Sequence, residues 1–382
     1  MRRVCVVVGS RANYSSIKSA MRAVESHPDL ELQLVVGASA LLDRYGSVAE
    51  LIEQDGFQAA ERVFMLIEGE TPSTMAKSTG LGLLELPTAF ERLEPDVVIT
   101  VGDRFETMAT ALAATYMNIP LAHTMGGEVS GNIDESIRHA VTKFAHVHFP
   151  ASKGAGDRIV RLGEDPESVH VVGCPRMDLV AEVLADDGDG LSDLFATGVG
   201  GSFSLEEPFL LVSQHPVTTE YGDGKRQIQE TLKAVQQLDV PAIVLWPNAD
   251  AGSEHIAAGM RQWREHNDDS KLHFFKNLPA NDYIRLMSKT ACIVGNSSSA
   301  IREGAFIGAP AVNVGPRQNG RDRGSNVVDV EYDKQQIVDA VRSQMANGRY
   351  EMEPIYGDGH AGERIAEILS TKALSIHKQI TY

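Results

Sequence analysis

Compact apolar runs alternate with amphipathic stretches of helical length along most of the chain. "VCVVVGS", "LQLVVGAS", "DVVITVGD", "PLAHTMGGE", "HVHFPAS" and "SVHVVG" read as buried parallel strands, because a strand covered on both faces shows a continuous apolar run. Between them "SSIKSAMRAVES" and "ETMATALAATYMN" carry the helical period. These elements predict a doubly wound, Rossmann-like α/β lobe over residues 1–185. The stretch Asp186 to Pro208 then loses periodicity and is rich in Gly, Asp and Ser, so it reads as a solvated connection. Alternation restarts with "FLLVSQHP", "AIVLWPNA", "LHFFKNL", "ACIVGNSS" and "PAVNVG", which predict a second α/β lobe over 186–361.

In open α/β sheets ligands bind outside the carboxyl ends of the strands. The unusual residues of this chain collect at those ends, in "GSRANYSS", "GDRFE", "GGEVSGNIDES", "SQHPVTT", "PNADAGS", "GNSSS" and "GPRQNGR". A cleft between two lobes is the expected site.

Composition narrows the partners. At 382 residues the chain is comfortable as two domains, and 52 Asp+Glu against 35 Lys+Arg give a net charge of −17. No basic stripe exists to neutralise a nucleic-acid backbone, so a phosphate site must be local. Cys5, Cys174 and Cys292 form no CxxC pair and read as small apolar residues of a reducing compartment. No segment approaches the ~18 apolar residues of a membrane span, and the first apolar run is too short for a signal-peptide core. The chain reads as cytoplasmic.

"VVVGSRANYSS" lacks GxGxxG, having Gly9 alone, which argues against a nicotinamide dehydrogenase. It supplies Arg11, with Ser15 and Ser16 at the expected start of the first helix, suited to holding a phosphate or hydroxyl oxygen or, equally, to capping. Asp103 and Arg104 follow one strand; Glu128 and Asp134 follow the next, with Glu135 able to exchange roles with Asp134. Carboxylates converging on one rim repel each other and so raise the pKa of at least one, the condition for moving protons near neutral pH; each can also simply cap a helix. The Gly-Gly pair before Glu128 is read as letting backbone approach a ligand. His215, at a strand end before a proline and paired threonines, is a candidate proton donor or phosphate contact. His146 and His148 lie two apart on one strand, but no third ligand completes a metal site, and packing is the expected role. In "GNSSSAIREG" a strand turns into a short helix through three serines, which suit either an N-cap or an anion.

Taken in order, "SRANYS", "GDRFE", "GGEVSGNIDESIRHA", "GCP", "QHPVTT", "PNADAGS", "GNSSSAIRE" and "RQNGR" resemble the UDP-N-acetylglucosamine 2-epimerase family, in particular its hydrolysing branch. Where the non-hydrolysing branch has an "HVEAG"-type segment, this chain has "HTMGGEVSG". The resemblance covers almost the whole chain. It implies two Rossmann-like lobes of the glycosyltransferase-B type, with a C-terminal helix at about Gly362 to His377 crossing back to the first. It makes Asp103, Glu128, Asp134 and His215 the catalytic candidates. Arg11, Ser15, Arg104, Asn248, Ser297, Ser298, Glu303 and Arg317 become the nucleotide contacts. It further implies a homodimer or homotetramer, no redox cofactor or metal, and conversion of UDP-N-acetylglucosamine to UDP and N-acetylmannosamine. The same reaction on UDP-N,N′-diacetylbacillosamine, a glycosyltransferase, and a silent sugar-nucleotide sensor are the alternatives.

Overall fold

The computed structural model describes residues 1–381 except 44–46, 70, 131–132, 187, 189, 218–219, 248–251, 268–269 and 277. The chain divides into two compact units, one of Met1–Val129, Ile133–Leu179 and Tyr356–Tyr382, the other containing Val180–Ile355.

The first unit holds a parallel sheet of β1 (Arg2–Val8), β2 (Leu30–Gly37), β3 (Glu61–Val63), β4 (Val97–Val101), β5 (Leu121–Thr124) and β6 (Val147–Phe149), in the order β3-β2-β1-β4-β5-β6. Alternate residues of β1 serve opposite cores. Val4, Val6 and Val8 pack with Leu34, Val36 and Ile99, whereas Cys5 and Val7 pack with Val35 and Val98. This two-sided burial is why the strand reads as an unbroken apolar run. Strand order reverses between β1 and β4, so the crossovers that leave their carboxyl ends run to opposite sides of the sheet and open a crevice there.

In the second unit β7 (Val199–Gly200), β8 (Leu210–Ser213), β9 (Ala242–Leu245), β10 (Leu272–Phe275), β11 (Cys292–Gly295), β12 (Ala311–Val314) and β13 (Val327–Val330) order as β13-β12-β11-β8-β9-β10-β7. All pairs are parallel except β7 with β10. Leaving out β7, this is the same strand order as in the first sheet, and its reversal falls between β8 and β11. Among the described residues no helix is long and apolar enough to cross a membrane.

Several expected boundaries move. "SVHVVG" is not a strand: a single parallel bridge joins Val169 to His148, and Gly173, at φ +93°, lies so close to Gly357 that a Cβ would meet its Cα at 2.7 Å. Asp186 to Pro208 is more than a connection. Leu191 and Leu194 are buried in the core with Phe209 and Phe275, and Phe195 stacks edge-on to His273. The unit boundary falls at Leu179/Val180, inside the helix Pro175–Ala185, rather than at 185/186. The chain rejoins the first unit at Tyr356, whose carbonyl accepts a 2.7 Å bond from Cys174 N. The last helix is Ala361–Thr371, ending well before His377. Asp178 caps it by accepting from Ala361 N and Gly362 N at 2.9 and 2.7 Å. Gly362 is required there, since a Cβ would lie 2.7 Å from the Ser19 carbonyl carbon.

Candidate active site

In the first unit the switch point is built from the turns after β1 and β4. Gly102 turns the chain with φ +76°, and its carbonyl accepts a 2.7 Å bond from His123 Nε2. Burial pulls the fully enclosed His123 down to about 4, so at neutral pH the ring is uncharged and Nε2 carries its proton. The tethered turn leaves a quarter of the Asp103 side chain exposed, and Arg138 Nη2 donates to Asp103 Oδ2. Arg138 Nη1 donates to the Glu128 carbonyl at 2.8 Å. Glu128 and Arg138 are buried, while Asp134 lies half-buried in the first turn of the helix Ile133–Phe144 that carries Arg138. One guanidinium therefore binds the Asp103 carboxylate and the Glu128 carbonyl, and Asp134 lies one turn before it in the same helix.

That guanidinium is a buried counter-charge to Asp103 that the sequence did not single out. Glu106, at the start of the next helix after Asp103, is shifted upward through burial first, with Arg104 pulling the other way from 3.2 Å. The glycines before Glu128 also have a different task. A Cβ on Gly127 would lie 2.2 Å from the Ala155 carbonyl oxygen, and one on Gly126 would lie 2.9 Å from His123 Nδ1, so both serve close packing within the protein.

After β1 the first helix is Arg11–Ser15, and its N-cap is Ser10, which accepts from Asn13 N at 3.2 Å. Ser15 and Ser16 thus stand at its end, not its start. Asn13 locks the turn by bonding Gly9 N and the Val101 carbonyl, both at 3.2 Å. Arg176 donates to Ser15 Oγ at 2.6 Å, and Arg11 is lowered by burial and then by the neighbouring Arg176 charge. His148 is not a mere packing residue: its Nε2 lies 3.1 Å from Glu164, which Lys143 and Lys378 also pair. Burial alone would push Glu164 up, but His148, Lys143 and Lys378 together hold it at about 2. Among the described residues no group of three or more His, Cys, Asp or Glu could hold a metal ion.

In the second unit the switch point lies after β8 and β11. Gly295, at φ +132°, packs against Ser213 so closely that a Cβ would sit 2.1 Å from its carbonyl oxygen. Next to it Asn296, fully buried, clamps the His215 peptide: Oδ1 accepts from His215 N at 2.7 Å and Nδ2 donates to His215 O at 2.9 Å. The Asn296 carbonyl in turn accepts from Arg317 Nη1 at 3.2 Å and Gln318 Nε2 at 2.9 Å. His215 Nε2 lies 3.4 Å from Ser213 Oγ. Ser297 caps the short turn Ser298–Ala300, and its hydroxyl meets Ser299 Oγ at 2.8 Å, which meets Tyr283 OH at 2.6 Å. Ser298 is half-buried, and Glu303 is buried in the helix Arg302–Ile307. His215, Ser297, Ser298 and Arg317 thus converge on Asn296 and its turn. Asn248 and the paired threonines after His215 lie outside the described residues.

Sequence reasoning passed over Arg138, Glu106 and Asn296, although each stands inside a motif it quoted. Arg138 follows Asp134 by four residues, the spacing that places two side chains on one helix face. Asn296 offered no such signal.

Residues 22–370 match the family model described as UDP-N-acetylglucosamine 2-epimerase. The chain belongs to this family. A hydrolysing UDP-N,N′-diacetylbacillosamine 2-epimerase of Legionella pneumophila is 32% identical over 380 residues, covering 100% of this chain and 98% of the relative. A UDP-N-acetylglucosamine 2-epimerase of Neisseria meningitidis is 28% identical, over 97% of this chain and 95% of its own. Among solved structures, the Neisseria meningitidis UDP-GlcNAc 2-epimerase bound to UDP-GlcNAc superposes with a TM-score of 0.82 at 16% identity, covering 97% of this chain and 100% of that one. The fold of this epimerase family, two parallel-sheet lobes of the glycosyltransferase-B class, is the fold of this chain.

Proposed function

We propose that this chain is a hydrolysing UDP-sugar 2-epimerase that converts UDP-N-acetylglucosamine and water to UDP and N-acetylmannosamine. The observation that carries the reading is that Arg138, one turn beyond Asp134 in its helix, bonds both the Asp103 carboxylate after β4 and the Glu128 carbonyl after β5. Carboxylates are unfavourable neighbours for a diphosphate in a protein that only binds it, whereas proton transfer at a sugar carbon requires them. In this reading a carboxylate removes the proton at C2 while the C1–O bond breaks and its electron pair leaves with UDP, giving 2-acetamidoglucal. Water then adds its oxygen at C1, and a proton is delivered to the opposite face of C2. Asp103, Glu128 and Asp134 move the protons. His215 serves the departing diphosphate, with its peptide fixed by Asn296. Arg11, Ser15, Arg104, Ser297, Ser298, Glu303, Arg317 and Asn248 hold the nucleotide, the serine hydroxyls and arginines taking phosphate oxygens and Glu303 the ribose hydroxyls. The chemistry calls for neither metal nor redox cofactor, and the enzyme works as a cytoplasmic homo-oligomer.

The relative named for UDP-N,N′-diacetylbacillosamine, matched end to end, favours that 4-acetamido-6-deoxy sugar as the second reading. Proton NMR of the protein with each sugar nucleotide in deuterated water distinguishes them. The true substrate gives a 2-epimeric free sugar carrying deuterium at C2, and oxygen-18 water labels C1 of that sugar and not UDP. An unlabelled C2, label in the phosphate, or no turnover of either compound rejects the hydrolysing epimerase.

A further inference from the structure

Arg138 is a buried charge that the reaction above leaves without a task. It sits one turn beyond Asp134 in the helix Ile133–Phe144, so the two side chains project from the same face. Its side chain is 3% exposed, against 25% for Asp103. Nη2 donates to the Asp103 carboxylate, which follows β4, and Nη1 donates 2.8 Å to the Glu128 carbonyl, which follows β5. One planar fork therefore joins the three chain segments that carry the three carboxylates. Guanidinium geometry is rigid, and both partners are reached from neighbouring nitrogens, so the angle between the Asp103 carboxylate and the Glu128 backbone is fixed by the fork itself. A lysine at this position would keep the charge and lose that angle.

We propose that Arg138 is the positioning residue of the proton-transfer machinery, holding the Asp103 carboxylate and the Glu128 segment in register with Asp134. It touches no reacting atom. It sets where the carboxylates stand, and displacements of about 1 Å at a reacting centre cost rates on the order of 100-fold. The inference rests on the epimerase reading, and it concerns turnover rather than nucleotide affinity, because Arg138 bonds the Asp103 carboxylate and the Glu128 carbonyl and is not among the residues assigned to the nucleotide.

The test compares Arg138→Lys and Arg138→Gln with the unaltered enzyme. Calorimetric titration with UDP counts the binding-competent protein, and kcat is then expressed per UDP site. We expect kcat to fall at least roughly 10-fold in Arg138→Lys and about 100-fold in Arg138→Gln, with KM and the Kd for UDP within about threefold of the parent. The larger loss in the glutamine variant reads the charge, and the remaining loss in the lysine variant reads the fork. A kcat within threefold of the parent in either variant overturns the proposal. So does loss of UDP binding by both, which makes Arg138 a stability residue. If the unaltered enzyme turns over neither sugar nucleotide, the epimerase reading fails first, and the two failures are told apart.

Discussion

The two sheets share a strand order and place their unusual residues at the same point of it, yet the two switch points are made of different material. In the first unit the turn after β4 is held by charge: Asp103 on Arg138, which also bonds the Glu128 carbonyl, and Arg104 on Glu106. In the second the corresponding place is held mainly by amides and hydroxyls, with Arg317 the charged donor to the Asn296 carbonyl. Asn296 clamps His215, Gln318 bonds Asn296, Ser297 and Ser299 join Tyr283, and Thr231 donates to Gln214 at 2.6 Å. Burying charge is costly unless it is paired, whereas a neutral network needs only complete hydrogen bonding. In the proposed reading the carboxylates of the first region move protons and so carry that cost, while the second presents its donors largely from neutral groups.

The largest expected effect breaks the charged side. Glu128→Gln keeps the shape and removes the ionisable group, so turnover should fall ~100-fold or more while UDP affinity stays close to that of the parent. Steady-state kinetics with UDP calorimetry measures both, and a fully active variant would return Glu128 to a structural role. On the neutral side, Asn296→Ala removes both bonds to the His215 peptide. Each buried group left unpaired should cost roughly 1–3 kcal/mol, visible as a lower midpoint in denaturant, and turnover should fall as His215 loses its anchor. Asn296→Asp keeps the acceptor for His215 N and should lose less stability. Equal stability of Asn296→Ala and the parent would mean that the clamp is incidental.

How much of this was legible in the sequence depended on whether the signal was local. Central strands such as β1, β4, β8 and β11 announce themselves because both faces are covered and their residues are mostly apolar. The short β3, "ERV", and β13, "VVDV", escaped notice, since sheet-edge positions leave their alternate residues partly exposed. "SVHVVG" has strand composition but meets its neighbour at Val169 alone. The carboxylates, serines and His215 could be picked out by residue type at strand ends. Arg138 and Asn296 could not, because their meaning lies in partners 35 and 81 residues away, Asp103 and His215. Glu106 was hidden by the same cause: in the sequence it is a helix-start acid, and only the fold puts it against Gly9, where a Cβ would meet its Cγ at 2.4 Å.

A smaller effect sharpens the contrast from the binding side. Ser297→Ala with Ser298→Ala should weaken UDP by roughly 1–3 kcal/mol in calorimetry, the scale of hydrogen bonds to a charged group, and leave kcat at saturation nearly intact. Arg317→Ala should likewise raise KM more than it lowers kcat, as for a contact equally strong in ground and transition states. A pure kcat defect in either would reassign those residues from nucleotide binding to catalysis.

The smallest effect concerns Glu106, the member of the charged region that works against it. Burial raises its pKa above the ordinary carboxyl value, and Arg104 at 3.2 Å offsets this only in part. A carboxyl with a raised folded-state pKa binds its proton more tightly in the folded than in the unfolded chain. Stability is therefore lost as pH climbs from the unfolded pKa through the folded one. Glutamine resembles the protonated acid and cannot ionise. Glu106→Gln should match the parent near pH 4 and exceed it in thermal stability at pH 8, so that the difference between them grows with pH. Glu164, held at about 2 by His148, Lys143 and Lys378, gives the opposite sign in the same unit. Glu164→Gln should be less stable than the parent at pH 7, with the gap closing as pH falls from about 4.5 toward 2. Paired melting curves of both variants across pH would show the two slopes crossing. Parallel slopes would mean that Glu106 is already ionised in the folded protein and that Arg104 fully compensates its burial.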